Sequence, residues 1–225
     1  MVKEFIHALT KDGEGELLKT IFTSLLISFI TFGIFYFIKL RYIEDFAPKY
    51  GLYLFFAILS YSLILPSTRL VRAYKEFPCM SGMMIGMTIG MTAGFLSGFY
   101  IGATNGMFWG SVFGMAVGIF FGVYNGRCCG IMGILEGLMA GFMGSLMGAM
   151  TSVMMLNDNV KAATFIVFII SSLIIFGLIF MIYKETRERE RKHKDSEFFI
   201  AFLSFLLTFA TIIMMVFGPR SVLLQ

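Results

Sequence analysis

From Gly82 to Gly130 a glycine stands at every fourth position, at 82, 86, 90, 94, 98, 102, 106, 110, 114, 118, 122, 126 and 130. The row then slips by one residue and continues as Gly133, Gly137, Gly141, Gly144 and Gly148. In water each helical glycine would cost about 1 kcal/mol relative to alanine. In a bilayer the same spacing gives a helix a smooth groove that admits another backbone at close range. A straight helix from Gly82 to Met150 would be about 100 Å long at roughly 1.5 Å per residue, against a hydrocarbon core of about 30 Å. The stretch must therefore fold back. Asn105-Gly106 and Asn125-Gly126 are turn pairs that tolerate a positive φ, and they divide it into three spans.

The rest of the chain fits the same environment. Of its 225 residues 58% are hydrophobic and 14% charged, and several apolar runs are long enough to need a bilayer. We expect an all-α polytopic membrane helix bundle of about seven spans with a glycine-zipper core of three helices. A polar lead occupies residues 1–16, and residues 17–78 hold two spans and an interfacial helix. Residues 79–156 form the Gly/Met-rich core, and residues 157–225 hold two spans joined by a charged linker at 184–197. No segment is large enough for a separate soluble domain, so the sequence does not point to an enzyme.

In chain order, Leu17 to Leu40 is a first span, poor in small residues and suited to lipid. Pro48 falls at the first turn of a second helix, expected from about Gly51 to a stop at Pro66. Ser67 to Phe77 then alternates Leu70, Val71, Tyr74 and Phe77 with Arg69, Arg72 and Lys75, a pattern for a helix lying at the headgroups. Cys79 to Thr104, Met107 to Tyr124 and Cys129 to Leu156 are the three core spans. Val160 to Tyr183 and Phe198 to Phe217 read as lipid-facing walls, and the four outer helices are expected around the core. With seven spans and the N-terminus on one side, thirteen of the eighteen lysines and arginines fall on that side. The positive-inside rule predicts a multi-pass protein of the cell membrane with the N-terminus cytoplasmic and the C-terminus outside.

Fourteen of the eighteen methionines lie between Met80 and Met155. Met83, Met87 and Met91 share one helix face in the third span, as do Met139, Met143 and Met147 in the fifth. These two spans run in one direction, so the sequence predicts two sulfur-bearing faces meeting in one interior. Thioether sulfur is soft and neutral and favours Cu(I), which it binds without losing a proton. Cys79, Cys128 and Cys129 gather at the expected cytoplasmic ends, where thiols stay reduced and can accept or release the ion. Glu136, on the face of Met139 and Met143, is a carboxyl at depth and a candidate proton acceptor or cation ligand. Its structural alternative is a carboxyl bonded to Thr88, Thr92 or a backbone carbonyl. The methionines likewise have a packing alternative, as flexible fillers beside the glycine grooves. Asn157, Asp158 and Asn159 close the fifth span as a polar turn or a cation-collecting mouth.

Met83-x-x-x-Met87 followed by Gly94-x-x-x-Gly98 on one helix resembles the eukaryotic copper transporter family, in which such methionines line the pore. That family has three spans, places the two motifs on different helices and carries a methionine-rich outer arm that this sequence lacks. The run GIMGILEGLMAGFMGSLMGAM from Gly130 to Met150 is similar to glycine- and methionine-rich membrane proteins of prokaryotes linked to copper handling. Both resemblances imply a role in conducting or handling a soft monovalent metal. Two other readings stay open: a membrane scaffold or subunit that docks partners through its glycine face, and a small-solute, proton or tension-gated channel built as a homo-oligomer. Nucleic acid is not an expected partner, because the basic stretch Arg187 to Lys194 is diluted by Glu188 and Glu190. His7 and His193 lie in polar segments, and no Gly-Lys-Ser or Gly-Lys-Thr follows any glycine pair, so zinc-hydrolase and nucleotide-binding patterns are missing.

Overall fold

The computed structural model of the chain describes residues 15–38, 50–73, 79–186 and 197–219. Seven long helices account for most of them: α1 Gly15–Ile38, α2 Leu52–Ala73, α3 Cys79–Asn105, α4 Met107–Gly126, α5 Gly130–Met154, α6 Val160–Thr186 and α7 Glu197–Phe217. Six apolar stretches are long enough to cross a membrane, which makes this a multi-pass membrane protein. One of the six, Met107–Met154, is 48 residues long and contains both α4 and α5. The polar lead up to residue 14, the linker with Pro48, most of the linker at 184–197 and the residues 74–78 lie outside the described residues.

The centre of the fold is a stack of layers in which α3, α4 and α5 each place one small residue. Built β-carbons identify the pairs. At Gly86 such an atom would stand 2.9 Å from the Gly126 Cα, at Gly90 2.9 Å from the Gly122 Cα, and at Gly110 2.6 Å from the Gly102 Cα. These pairs run in opposite directions along the two helices, so α3 and α4 are antiparallel. Gly122 and Gly126 likewise meet Gly137 and Gly133, while Gly90 and Gly94 meet the carbonyl oxygens of Gly137 and Gly141 at 3.0 and 2.8 Å, so α5 runs parallel to α3. The layers read Gly86–Gly126–Gly133, Gly90–Gly122–Gly137 and Gly94–Gly118–Gly141, then Gly98–Gly114–Ser145 and Gly102–Gly110–Ala149. No side chain larger than a hydroxymethyl enters them, so three backbones come as close as backbones can, and dispersion rather than apolar transfer holds them in lipid.

The slip in the glycine row has a structural meaning. After the reversal the layer series resumes at Gly133, and Gly144 and Gly148 form a second row seated on the backbone of Met91 and Phe95. Gly106 takes a φ of 102°, as its Asn-Gly pair predicts, and the α3 to α4 turn is made there. Asn125-Gly126 does not turn. Gly126 stays helical at φ −71°, and the chain reverses one turn later through the short 3-10 segment Arg127–Cys129, ending on Gly130 at φ 69°. Gly126 is held in the helix because it belongs to the first layer, where the backbone of Gly133 crowds it.

Pro66 does not end α2. The helix continues through it to Ala73, and Ser67, Leu70 and Val71 are buried, so this segment is not a surface helix at the headgroups. The hydroxyls of Ser67 and Thr68 donate to the carbonyls of Ile64 and Leu65 beside the ring, and neighbouring helices cover it. Nor do the outer helices encircle the core. α2 packs on α3 and touches α4, α6 and α7 pack on α3, and α1 joins α2 and α7, whereas α5 packs on α3 and α4 and shows its far side to the surroundings.

Candidate functional site

The glycine layers decide where the methionines point. On α3 and α5 the glycine faces turn inward, so the sulfur-bearing faces turn out. Met87 is 47% exposed, Met139 68%, Met143 62% and Met147 56%, with Met80, Met84 and Met91 exposed as well and Met83 half-buried. The expected shared interior lined by two facing sulfur columns is therefore not formed. α3 and α5 do pack directly and in parallel, but through Gly90, Gly94, Gly144 and Gly148. These side chains lie at the surface, where they can pack against lipid, and the gaps inside the core are closed by glycine, serine and alanine.

Elsewhere the outward faces of this chain are made of other residues. α6 shows Phe165, Ile166, Ile169, Leu173 and Phe176, and α7 shows Phe198, Phe202 and Leu206. Lipid needs nothing more polarizable than these. On α3 the sulfur face borders a cavity of about 400 Å³ between α3 and α6, with Met84, Met87 and Met91 on one wall and Ile170 and Ile174 on the other. The hydroxyls of Thr88 and Thr92 open toward it but donate to the carbonyls of Met84 and Thr88 within their own helix.

Glu136 is half-buried, between exposed Leu135 and Met139. It is the one carboxylate residue within the six apolar stretches, and it makes no hydrogen bond or ion pair among the described residues. Thr88 and Thr92 are not its partners. The cysteines stand at one end of the core: Cys79 begins α3, and Cys128 and Cys129 lie in the 3-10 turn that follows α4. The side chain of Cys79 is outside the described residues. Cys128 and Cys129 are half-buried thiols, and Cys128 donates its Sγ hydrogen to the Asn125 carbonyl at 3.2 Å. Among the described residues no three His, Cys, Asp or Glu side chains gather as a metal-binding group. Asp158 and Asn159 are exposed in the turn after α5.

Two contacts that the sequence reading passed over fasten the outer helices. Ser28 and Ser204 share a hydrogen bond at 2.9 Å, and Ser204 also reaches the Ser24 carbonyl at 3.1 Å, which joins α1 to α7. The signal was present as Thr20, Ser24 and Ser28 at intervals of four, so α1 does carry a small-residue face. Arg72 lies with its guanidinium carbon 3.8 Å from the centre of the Tyr124 ring, which also stacks on Phe199, so that α2, α4 and α7 meet there.

Comparison with known proteins returns no match to a family model, to a curated protein or to a solved structure.

Proposed function

We propose that this chain crosses the membrane seven times and handles a soft monovalent metal, Cu(I) foremost, at thioethers displayed on the outer faces of α3 and α5. The observation that carries the proposal is that Met87, Met139, Met143 and Met147 are exposed side chains. Exposed thioethers at intervals of four offer a series of neutral, soft ligands along each helix. Binding at any one of them is weak, and weak serial binding is what passage from site to site requires. Met83 and Met91 extend the α3 column, and Glu136 supplies a carboxyl oxygen beside the α5 column. Cys79, Cys128 and Cys129 sit at the end where the ion would be exchanged. That end is cytoplasmic in the orientation favoured by the lysine and arginine count, with the C-terminus outside. The resemblance to copper-handling membrane proteins points the same way.

Passage between α3, α4 and α5 is not part of the proposal, because backbone fills that space. A channel with the glycine helices around a shared axis is not carried forward either, since these glycines are engaged within one chain. The second reading is a non-catalytic membrane subunit, favoured by the uncovered side of α5; its docking face would be methionine rather than glycine. Anaerobic purification followed by elemental analysis separates the two. Copper or silver bound to the native chain and reduced in a Met87→Leu, Met143→Leu double variant supports metal handling. No soft metal in either leaves the subunit reading.

A further inference from the structure

On the α6 wall of the cavity between α3 and α6, Ser171 stands between Ile170 and Ile174. The residue is 7% exposed, and its hydroxyl makes no hydrogen bond among the described residues. Every other buried serine or threonine among them has a partner, in most cases a carbonyl three or four residues back on its own helix. On α6 itself Thr164 donates to the Val160 carbonyl at 2.7 Å. Across the cavity the hydroxyl hydrogens of Thr88 and Thr92 are engaged in the same way. The cavity therefore offers one unused donor, from Ser171, beside the lone pairs of Thr88 and Thr92.

We propose that this cavity binds a lipid-soluble ring carrying a carbonyl oxygen, of the quinone or aromatic-ketone kind, with Ser171 as its hydrogen-bond donor. A volume of about 400 Å³ lies within the usual range for small-molecule sites, and apolar walls with a few hydroxyls are their usual lining. Depth narrows the occupant. α3 and α6 are each 27 residues long, and Ser171 lies about 16 Å from the start of α6 at roughly 1.5 Å per residue, near the middle of a hydrocarbon core of about 30 Å. The ester carbonyls of bilayer lipids stay at the edges of that core, and their chains bring only methylenes to this level. A hydroxyl among methylenes forfeits the hydrogen bond it has in water. A carbonyl on a ring that dissolves in the bilayer accepts the hydrogen and adds no donor that would need a partner of its own. The sulfurs of Met84, Met87 and Met91 and the ring of Phe95 suit a flat conjugated molecule, since thioethers lie favourably against aromatic edges. Met87, Ile170 and Ile174 are exposed, so the ring enters sideways from lipid. The site goes beyond the metal reading, because the ring needs no ion and Ser171 is no part of the sulfur columns.

The test uses the full chain in lipid nanodiscs with a Cu(I) chelator present. The probe is benzophenone, a two-ring ketone that labels its neighbours on illumination. Peptide mass spectrometry should find label on Met87, Met91 or Ile174 that saturates with dose. Excess menadione, a fused-ring quinone, should lower that label at least about fivefold, whereas methylnaphthalene, the same fused rings without carbonyls, should not. Label on Met139 and Met143, exposed on α5 away from the cavity, should rise in proportion to dose and ignore both competitors. Ser171→Ala should raise the menadione concentration needed by roughly five- to thirtyfold, with the α5 label unchanged as the check on folding. Label that never saturates, equal competition by methylnaphthalene, or a Ser171→Ala chain that responds to menadione like the native one overturns the site.

Discussion

Gly94 and Gly118 face each other across the α3–α4 seam so closely that a β-carbon on Gly118 would stand 2.7 Å from the Gly94 Cα. Real β-carbons do not approach a backbone atom to that distance, and neither helix can yield, because Gly141 of α5 closes the layer from the third side. A Gly118→Ala change therefore has to separate backbones. It should lower stability by roughly 1–3 kcal/mol, as overpacking does. Gly177→Ala on α6, where nothing lies within 4 Å, should be neutral or stabilising by up to about 1 kcal/mol. Thermal unfolding in detergent, comparing the two variants, reads the difference directly.

The close approach of α3, α4 and α5 leaves its trace in the sequence as a missing side chain at every fourth position. Helix direction followed as well, since α3 and α5 run in parallel. Gly90 meets Gly137, so Met87 and Glu136 sit within about 3 Å of one level along the axis. What the spacing could not give was the sense of each face. Met87 and Gly90 lie on one turn, and only the three-way contact of glycines decides which of them turns inward. Pro66 misled for a related reason. The rule that proline ends a helix assumes water is ready to take the freed groups, whereas α2 continues among packed helices with Ser67 and Thr68 beside the ring.

The Arg72–Tyr124 contact joins three helices at one end of the bundle. Tyr124→Phe keeps the ring and its attraction for the guanidinium, so the coupling to Arg72 should survive it. Tyr124→Leu should lose roughly 0.5–2 kcal/mol, and most of that loss should vanish when Arg72 is already glutamine. A double-mutant cycle on unfolding measures the coupling.

Ser28 and Ser204 are fully buried between α1 and α7 and bonded at 2.9 Å. Ser28→Ala should cost about 0.6 kcal/mol, near the mean for such bonds in membranes. Ser28→Leu should cost more, because the side chain must enter a seam of hydroxymethyl groups. Proteolytic release of the α1 segment from detergent-solubilised protein should rise in that order.

That the glycine layers turn the sulfur-bearing face of α3 outward is tested most directly by a carbene photolabel dissolved in the lipid phase, located by peptide mass spectrometry. Met80, Met84 and Met87 should carry label, while Ile85 and Ile89 on the same helix and Met215 on α7, each 0 or 1% exposed, should remain unlabelled. Label on Ile85 and Ile89 with Met84 and Met87 protected would mean that α3 is rotated the other way, and the arrangement described here would be contradicted.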